Sequence, residues 1–308
     1  MTEIYKPEGY LNTLPENKEY ISSISGLERA FSHDITLEAK AILCDKEHNL
    51  IVELGDMHGI IPKDEVLYNA SGKEMRDIAI ITRVGKAVRF KITKIDKSTT
   101  PATIILSRRL AQKECYENYI RTLSPGDIID AKITHQEQFG SFCDIGAGFI
   151  SLLSVDCISV SRISHPKDRF FIGQHIKAVV KETDFEEGRI TLSHKELLGT
   201  WQENAEKFCA GETTTGIIRS VEPYGIFIEL APNLAGLAEW KEGVYEGQTA
   251  AVYIKNIIPE KMKIKLVIVD CAAEEKIFRI PEYFIDAPRI DYWKYSPENC
   301  EKIIESIF

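Results

Sequence analysis

What this chain lacks narrows its reading first. Its 308 residues contain no apolar run near the roughly 18 residues that a membrane-spanning helix needs. The opening stretch, Met1-Thr2-Glu3-Ile4-Tyr5-Lys6-Pro7, lacks the basic-then-apolar plan of a secretory leader. Seven cysteines are scattered singly, none with the two-residue spacing of a zinc or redox pair, and an odd number resists full pairing. Reduced thiols in a cytoplasmic protein are the simplest account. His33, His48, His58, His135, His165, His175 and His194 show no metal-ligand spacing, and the sequence has no phosphate-cradling glycine loop and no nucleophile elbow. The expectation is therefore no catalytic residue, no metal, no cofactor and no membrane partner. Excess positive charge is missing too. A net charge of −9 argues against whole-molecule attraction to nucleic acid and leaves room only for a local basic face.

What the chain does have is a long repeat. Phe139-Gly140-Ser141-Phe142-Cys143-Asp144-Ile145-Gly146 and Tyr224-Gly225-Ile226-Phe227-Ile228-Glu229-Leu230-Ala231 lie 85 residues apart, each 13 residues after a turn glycine, Gly126 or Gly211. A Gly-Gln pair opens a later strand in both copies, at Gly173-Gln174 and Gly247-Gln248. Both close on a charged turn and a hydrophobic strand, Gly188-Arg189-Ile190-Thr191-Leu192-Ser193 and Met262-Lys263-Ile264-Lys265-Leu266. A worn third copy lies upstream, with His48 and Ile51 at the places of Phe139 and Phe142, then Gly59-Ile60-Ile61-Pro62, Gly85-Lys86 and Ile104-Ile105-Leu106-Ser107. Self-similarity at such a period means a repeated structural unit.

Each unit reads as about five short strands rich in Ile, Val and Phe, with turn residues between and no βαβ rhythm. Five antiparallel strands in some 70 residues fit a small closed barrel of the OB type, which leaves no exposed sheet edge. The fold class is thus all-β with linking helices: three tandem five-stranded OB barrels. Along the chain this gives an N-terminal extension and helix over 1–32, a degenerate OB domain over 33–107 and a linking helix over 108–123. An OB domain over 124–193, a second linking helix over 194–208 and a third OB domain over 209–271 follow. Last comes a tail over 272–308. Pro15 starts the first helical pattern, with Tyr20, Ile24, Leu27 and Phe31 at helical spacing. Leu197, Leu198, Trp201 and Phe208 form the apolar side of the second linker. In the tail, Ser296-Pro297-Glu298 has the residues of a helix start, predicting a helix over 298–308 that turns Ile303, Ile304 and Ile307 toward an apolar surface. Tyr283, Phe284, Tyr292, Trp293 and Tyr295 make the tail too aromatic to trail in solvent, and the third barrel is the expected partner.

The chemistry resides in the paired rings. On a regular strand, residues three apart face opposite ways, but Gly140 and Gly225 permit a bulge or a close backbone approach that brings both rings to one side. Two exposed rings on a barrel face make a stacking platform worth on the order of 1–3 kcal/mol per base. The bland alternative is that the rings are core; recurrence of the spaced pair in two copies favours the platform. Arg189 and Lys263 read as cations for phosphate or cation–π contact, or as solvated turn residues. Asp184 reads as a turn-former or an RNA contact. The loop holding Arg162, Lys167 and Arg169 reads as a basic rim on the second barrel or an ordinary polar loop. The acidic pairs Glu186-Glu187 and Glu274-Glu275 read as solvated turns, and Trp201 and Trp293 as packing anchors.

Together, Gly126-Asp127-Ile128-Ile129, Phe139-Gly140-Ser141-Phe142, Gly173-Gln174 and Gly188-Arg189-Ile190-Thr191-Leu192-Ser193 resemble the S1-type RNA-binding domain, the OB-fold repeat of a small-subunit ribosomal protein family. The likeness covers most of 124–196 and 209–267 and, more weakly, 33–107. It implies an RNA-contacting set of two aromatics, a histidine, an aspartate and an arginine on one barrel face. On this sequence the set falls on Phe139, Phe142, Asp184 and Arg189 in the second unit and on Tyr224, Phe227 and Lys263 in the third. Ser154 and Glu239 stand at the histidine places, and only Asp96 survives clearly in the first unit. What the resemblance implies is a non-enzymatic cytoplasmic protein that binds single-stranded messenger RNA in translation by stacking and phosphate contacts, with the small ribosomal subunit as a further partner. Two alternatives stay open: an RNA-regulatory factor outside the ribosome, and a protein-interaction scaffold with degenerate OB domains.

Overall fold

The computed structural model describes residues 5–68, 77–272 and 280–308; Glu274 and Glu275 lie outside the described residues. The chain forms two compact units, Met1–Leu123 with Asp144–Ile150 and Asp184–Arg189, and Ser124–Cys143 with Ser151–Thr183 and Ile190–Phe308.

The first unit begins with two helices, α1 (Pro15–Ile21) and α2 (Ile24–Ser32). The single helix suggested by the spacing of Tyr20, Ile24, Leu27 and Phe31 is broken because the Ser23 side chain accepts a hydrogen bond from Gly26 N and restarts the helix. Five strands follow: β1 (Leu37–Cys44), β2 (Leu50–Leu54), β3 (Met57–Ile61), β4 (Ala87–Asp96) and β5 (Thr103–Ser107), with the short α3 (Asp77–Ile81) between β3 and β4. They close into a barrel in the order β1-β2-β3-β5-β4. Alternate residues fill it, among them Leu50, Val52, Leu54, Val88, Phe90, Ile104 and Leu106, all fully buried. After the barrel, α4 (Arg108–Asn118) starts at the capping hydroxyl of Ser107. The unit's buried charges are paired. Arg108 Nε donates to Glu8 Oε1 at 2.8 Å, and the Asp144 carboxylate accepts from the backbone N–H groups of Glu8, Gly146 and Gly148. Burial, with the Glu8 charge beside it, pushes the Asp144 carboxyl up to about 6.

The second barrel comprises β6 (Ile128–Glu137), β7 (Gly140–Asp144), β8 (Ile150–Ser154), β9 (His175–Asp184) and β10 (Arg189–Ser193) in the order β10-β8-β7-β6-β9. Taken round the closed ring, this is the same order as in the first barrel. The chain expected to form one linking helix over 194–208 instead makes a 3-10 turn at Lys195–Leu198 and then α5 (Trp201–Ala205). Gly199 interrupts it at φ +81°, where a side chain is disfavoured and where an added Cβ would lie 2.8 Å from the Phe284 ring. Thr200 and Glu203 then form a capping box that starts α5. The apolar side survives this change: Leu197, Leu198 and Trp201 are buried.

The third barrel contains β11 (Thr213–Glu222), β12 (Gly225–Ala231), β13 (Leu234–Ala238), β14 (Thr249–Ile258) and β15 (Lys263–Ala272), again in the order first-second-third-fifth-fourth. Ile226, Ile228 and Leu230 alternate into its core, which Trp201, Trp293 and Tyr295 complete.

Among the described residues the tail contains no helix. Its described end holds β16 (Tyr292–Lys294), paired antiparallel with β17 (Glu305–Ile307). The Ser296 hydroxyl accepts from Ile304 N at 2.8 Å and donates to Lys302 O at 2.7 Å, so it closes a loop instead of capping a helix. β-branched isoleucines suit the strand. Of the three isoleucines expected to face the body, Ile304 packs against the barrel core, while Ile303 and Ile307 are exposed.

The tail docks on both barrels of the second unit. Ile290 N donates to Gly126 O, Ile128 N to Pro288 O and Lys177 N to the Tyr283 hydroxyl, each at 2.9 Å. Gly126, at φ +95°, leaves the room this needs, since a Cβ there would sit 2.2 Å from Ile290 O. Asn233, fully buried, joins the same region. It accepts from Val160 N, donates to Lys195 O and Gly199 O, and takes the Tyr295 hydroxyl on its own carbonyl.

Under the tail lies His194, buried, with Nδ1 3.1 Å from Ile158 O and Nε2 3.4 Å from the Tyr283 hydroxyl. Burial is the main reason its imidazole is held down at about 4; Ile158 O opposes this and the Arg169 charge adds to it. Because the folded value lies below the ordinary 6.5, the unfolded chain binds the extra proton first as pH falls. His194 therefore contributes stability that is whole above about pH 6.5, declines toward pH 4, and amounts to about 3 kcal/mol at most. Asp144 acts in the opposite sense, its contribution being present below its ordinary 3.8 and lost as pH rises through about 6. Urea denaturation at pH 5 and pH 7 is expected to show a smaller acid-induced loss for His194→Gln than for wild type. Equal losses would remove His194 from the account.

Candidate nucleic-acid interface

In the second barrel Phe139 occupies the turn between β6 and β7, one residue before the strand begins. Strand alternation therefore does not govern it, and no bulge is needed to bring it beside Phe142. Gly140 serves as a close backbone approach instead: a Cβ there would be 2.6 Å from Leu153 O. Val155 N donates to Phe139 O at 2.9 Å and fixes the turn. The two rings meet edge to face, centroids 5.9 Å apart at 90°. Phe139 is 57% exposed and Phe142 half-buried.

The third barrel repeats this geometry. Tyr224 sits in the β11–β12 turn, 71% exposed, and meets the half-buried Phe227 at 6.2 Å and 84°. Gly225 again allows the approach, with a Cβ there only 2.7 Å from Ala238 O. The register shift in this hairpin falls on the opposite strand, between Ile218 and Ser220.

In the first barrel the corresponding turn holds His48 at φ +64°, and its Nε2 lies 3.8 Å from Asp77, which Lys63 also pairs at 2.7 Å. Ile51 stands at the second ring's place on β2, opposite Leu43. No ring pair forms there.

Asp184 and Arg189 bracket the β9–β10 turn. Asp184 Oδ1 accepts from the N–H groups of Glu186 and Glu187, which is the role of a turn-former. Arg189 has a side chain 75% exposed, 3.9 Å from Glu187. Asp96 closes the equivalent turn of the first barrel through Ser98, whose hydrogen bonds, with the Lys94 charge, hold its carboxyl down at about 2. Lys263 is exposed at the start of β15.

Of the expected basic rim, Arg162 and Lys167 are exposed, but Arg169 is not part of a surface. Its side chain is buried against Glu229 of the third barrel, which also pairs with Arg219 at 2.7 Å, and Ser159 takes a further bond from Arg169. A charge taken out of water needs a partner, and the partner lies 60 residues away, beyond the reach of local pattern.

Sequence reasoning missed His135. Its ring lies 6.0 Å from that of Phe142 at an interplanar angle of 26°. The repeat did hold a signal: 85 residues on, Ser220 is registered opposite Phe227.

Three closed barrels in one strand order, two of them raising a T-shaped ring pair from a hairpin turn, define a tandem OB-fold protein with paired aromatic rings on two barrels. The model of the S1 RNA binding domain matches residues 34–109 and 122–195. The first and second barrels are therefore S1-type domains. The matched residues include the unit without a ring pair, so the likeness there is carried by the strand-and-turn scaffold; the third barrel lies outside them and keeps the same strand order. Small ribosomal subunit protein bS1 of Staphylococcus aureus is 28% identical over 260 residues, covering 79% of this chain and 64% of that protein. The protein of the same name from Leuconostoc lactis is 28% identical over 258 residues, covering 80% and 56%. The chain thus spans under two thirds of the length of these curated relatives. Among solved structures, a multidomain protein with nucleic acid binding domains from Streptococcus pneumoniae is similar at 14% identity and a TM-score of 0.25, over 77% of this chain and 74% of that one. Among the described residues no helix is long and apolar enough to cross a membrane.

Proposed function

We propose that this chain is a non-enzymatic, cytoplasmic single-stranded RNA-binding protein acting in translation, with messenger RNA as ligand and the small ribosomal subunit as a partner. The observation that carries the reading is the same exposed ring pair, in the same edge-to-face geometry, at the same turn of two barrels. Such a pair offers flat apolar surface to unpaired bases and tolerates any sequence, because every base has a π-face. In this reading Phe139, Phe142, Tyr224 and Phe227 stack bases, Arg189 and Lys263 meet phosphate, Asp184 shapes the turn that carries Arg189, and Arg162 and Lys167 form the remaining basic rim. The working modules are 33–107, 124–193 and 209–271. Covalently joined second and third barrels raise each other's effective concentration on one strand. The first barrel, with His48 and Ile51 where the ring pair would be, serves docking to protein. The names of the relatives support the ribosomal part of the proposal.

Anisotropy of a labelled unstructured RNA is expected to report saturable binding. Its affinity should fall only gently with salt, by about −0.7 in log–log slope for each cation engaged. Sedimentation of cell extract is expected to place the protein with small subunits. Absence of RNA binding overturns the reading; RNA binding without co-sedimentation removes only the ribosome from it.

A further inference from the structure

The residue beside the second ring differs in all three barrels. Leu43 stands opposite Ile51, and Ser220 opposite Phe227. In the second barrel, Thr134 Oγ1 donates to Phe142 O at 3.0 Å, and the next residue, His135, lays its ring almost parallel to Phe142. Phe142 therefore has rings on two sides, Phe139 edge-on at 5.9 Å and His135 near-parallel at 6.0 Å. The His135 side chain is 59% exposed, so its outer surface is open to a ligand. Its orientation is set: Nε2 donates to Glu137 Oε1 at 2.7 Å, a residue two positions along the same strand and hence on the same side. An exposed ring held in place from below by Phe142 and at its edge by Glu137 loses little freedom when a base covers it.

We infer that His135 is a third stacking ring, present only in the second barrel, which extends that barrel's surface for unpaired bases of single-stranded RNA. This rests on the proposal that the ring pairs bind RNA. It is separable from it, because Phe139 and Phe142 would still form a platform if His135 took no part. The barrels would then grade from aliphatic (Leu43) through hydroxyl (Ser220) to aromatic (His135) in the residue beside the second ring, and their grip on bases would grade with it.

The test uses the full chain carrying Phe227→Ala, so that the second barrel dominates the signal, and a labelled single-stranded RNA. His135→Ala is expected to weaken binding by about fivefold or more, the loss of one stacked base. His135→Phe is expected to restore it, and His135→Leu, the residue type of the first barrel, to remain as weak as alanine. A thermal melt matching that of the parent shows that the exposed substitution leaves the fold intact. Unchanged affinity in His135→Ala overturns the inference, as does a phenylalanine variant no tighter than the leucine one. If the Phe227→Ala parent binds no RNA while wild type does, the second barrel is not a base-binding surface and the inference falls with it. If wild type binds none either, the RNA reading itself is what has failed.

Discussion

Replacing Phe142 and Phe227 together with alanine is expected to cost on the order of 2–6 kcal/mol of RNA affinity, one stacked base in each of two barrels at about 1–3 kcal/mol apiece. The reasoning starts from geometry. Each ring is half-buried, each is the inner member of an edge-to-face pair, and each supports a more exposed neighbour, Phe139 or Tyr224. Truncating the inner ring removes its own surface and lets the outer one swing free, so the platform fails as a whole. The barrel cores are filled by other residues, such as Leu153 and Leu192 in the second and Ile226 and Ile228 in the third, so the double variant should still fold cooperatively. Anisotropy with a labelled oligonucleotide reads the affinity. Ile51→Ala, at the same place in the first barrel, is expected to leave it unchanged. An undiminished affinity in the double variant would rule out base stacking as the mechanism.

Trp293→Ala is expected to lower stability by about 3–5 kcal/mol, the usual range for removing a large buried ring. Trp293 is 5% exposed, though it lies in the tail and not in a barrel strand. It packs beside Tyr295, ring centroids 5.8 Å apart, within the cluster that includes Trp201 and Ile264. Its Nε1 is buried and makes no hydrogen bond among the described residues, so alanine removes packing without removing a bond. Urea denaturation followed by the fluorescence of Trp201, another buried member of that cluster, measures the loss. A change below about 1 kcal/mol would mean that the tail rests on the third barrel without completing its core.

The barrels were legible because each level of the sequence agreed: period-two hydrophobics, turn glycines, and recurrence at 85 residues. The tail was misread because Ser296-Pro297 is a local signal with two outcomes. A serine hydroxyl can cap a helix or bridge a loop, and here Ile304 N and Lys302 O took it. Arg169 was assigned to a rim because its loop is basic; only Glu229, on another barrel, turns it inward. His135 escaped notice for a related reason. Its partner Phe142 is adjacent only across a hairpin, and a lone histidine on a strand has no pattern of its own. The cluster of Glu8, Arg108 and Asp144 is likewise assembled from segments far apart in sequence.

The docking of the tail also bears on the order in which a growing chain can finish folding. The N–H of Ile128, at the start of β6, bonds to Pro288 O, and the carbonyl of Gly126 waits for Ile290 N. The third barrel likewise waits for Trp293 and Tyr295 to fill its core. A nascent chain arrested before residue 283 would therefore carry two barrels with every strand in hand and neither complete. Domains generally fold in turn as they are made. Here the first barrel can do so, while the second and third share one closing step supplied by residues 283–295, made after the strands of both.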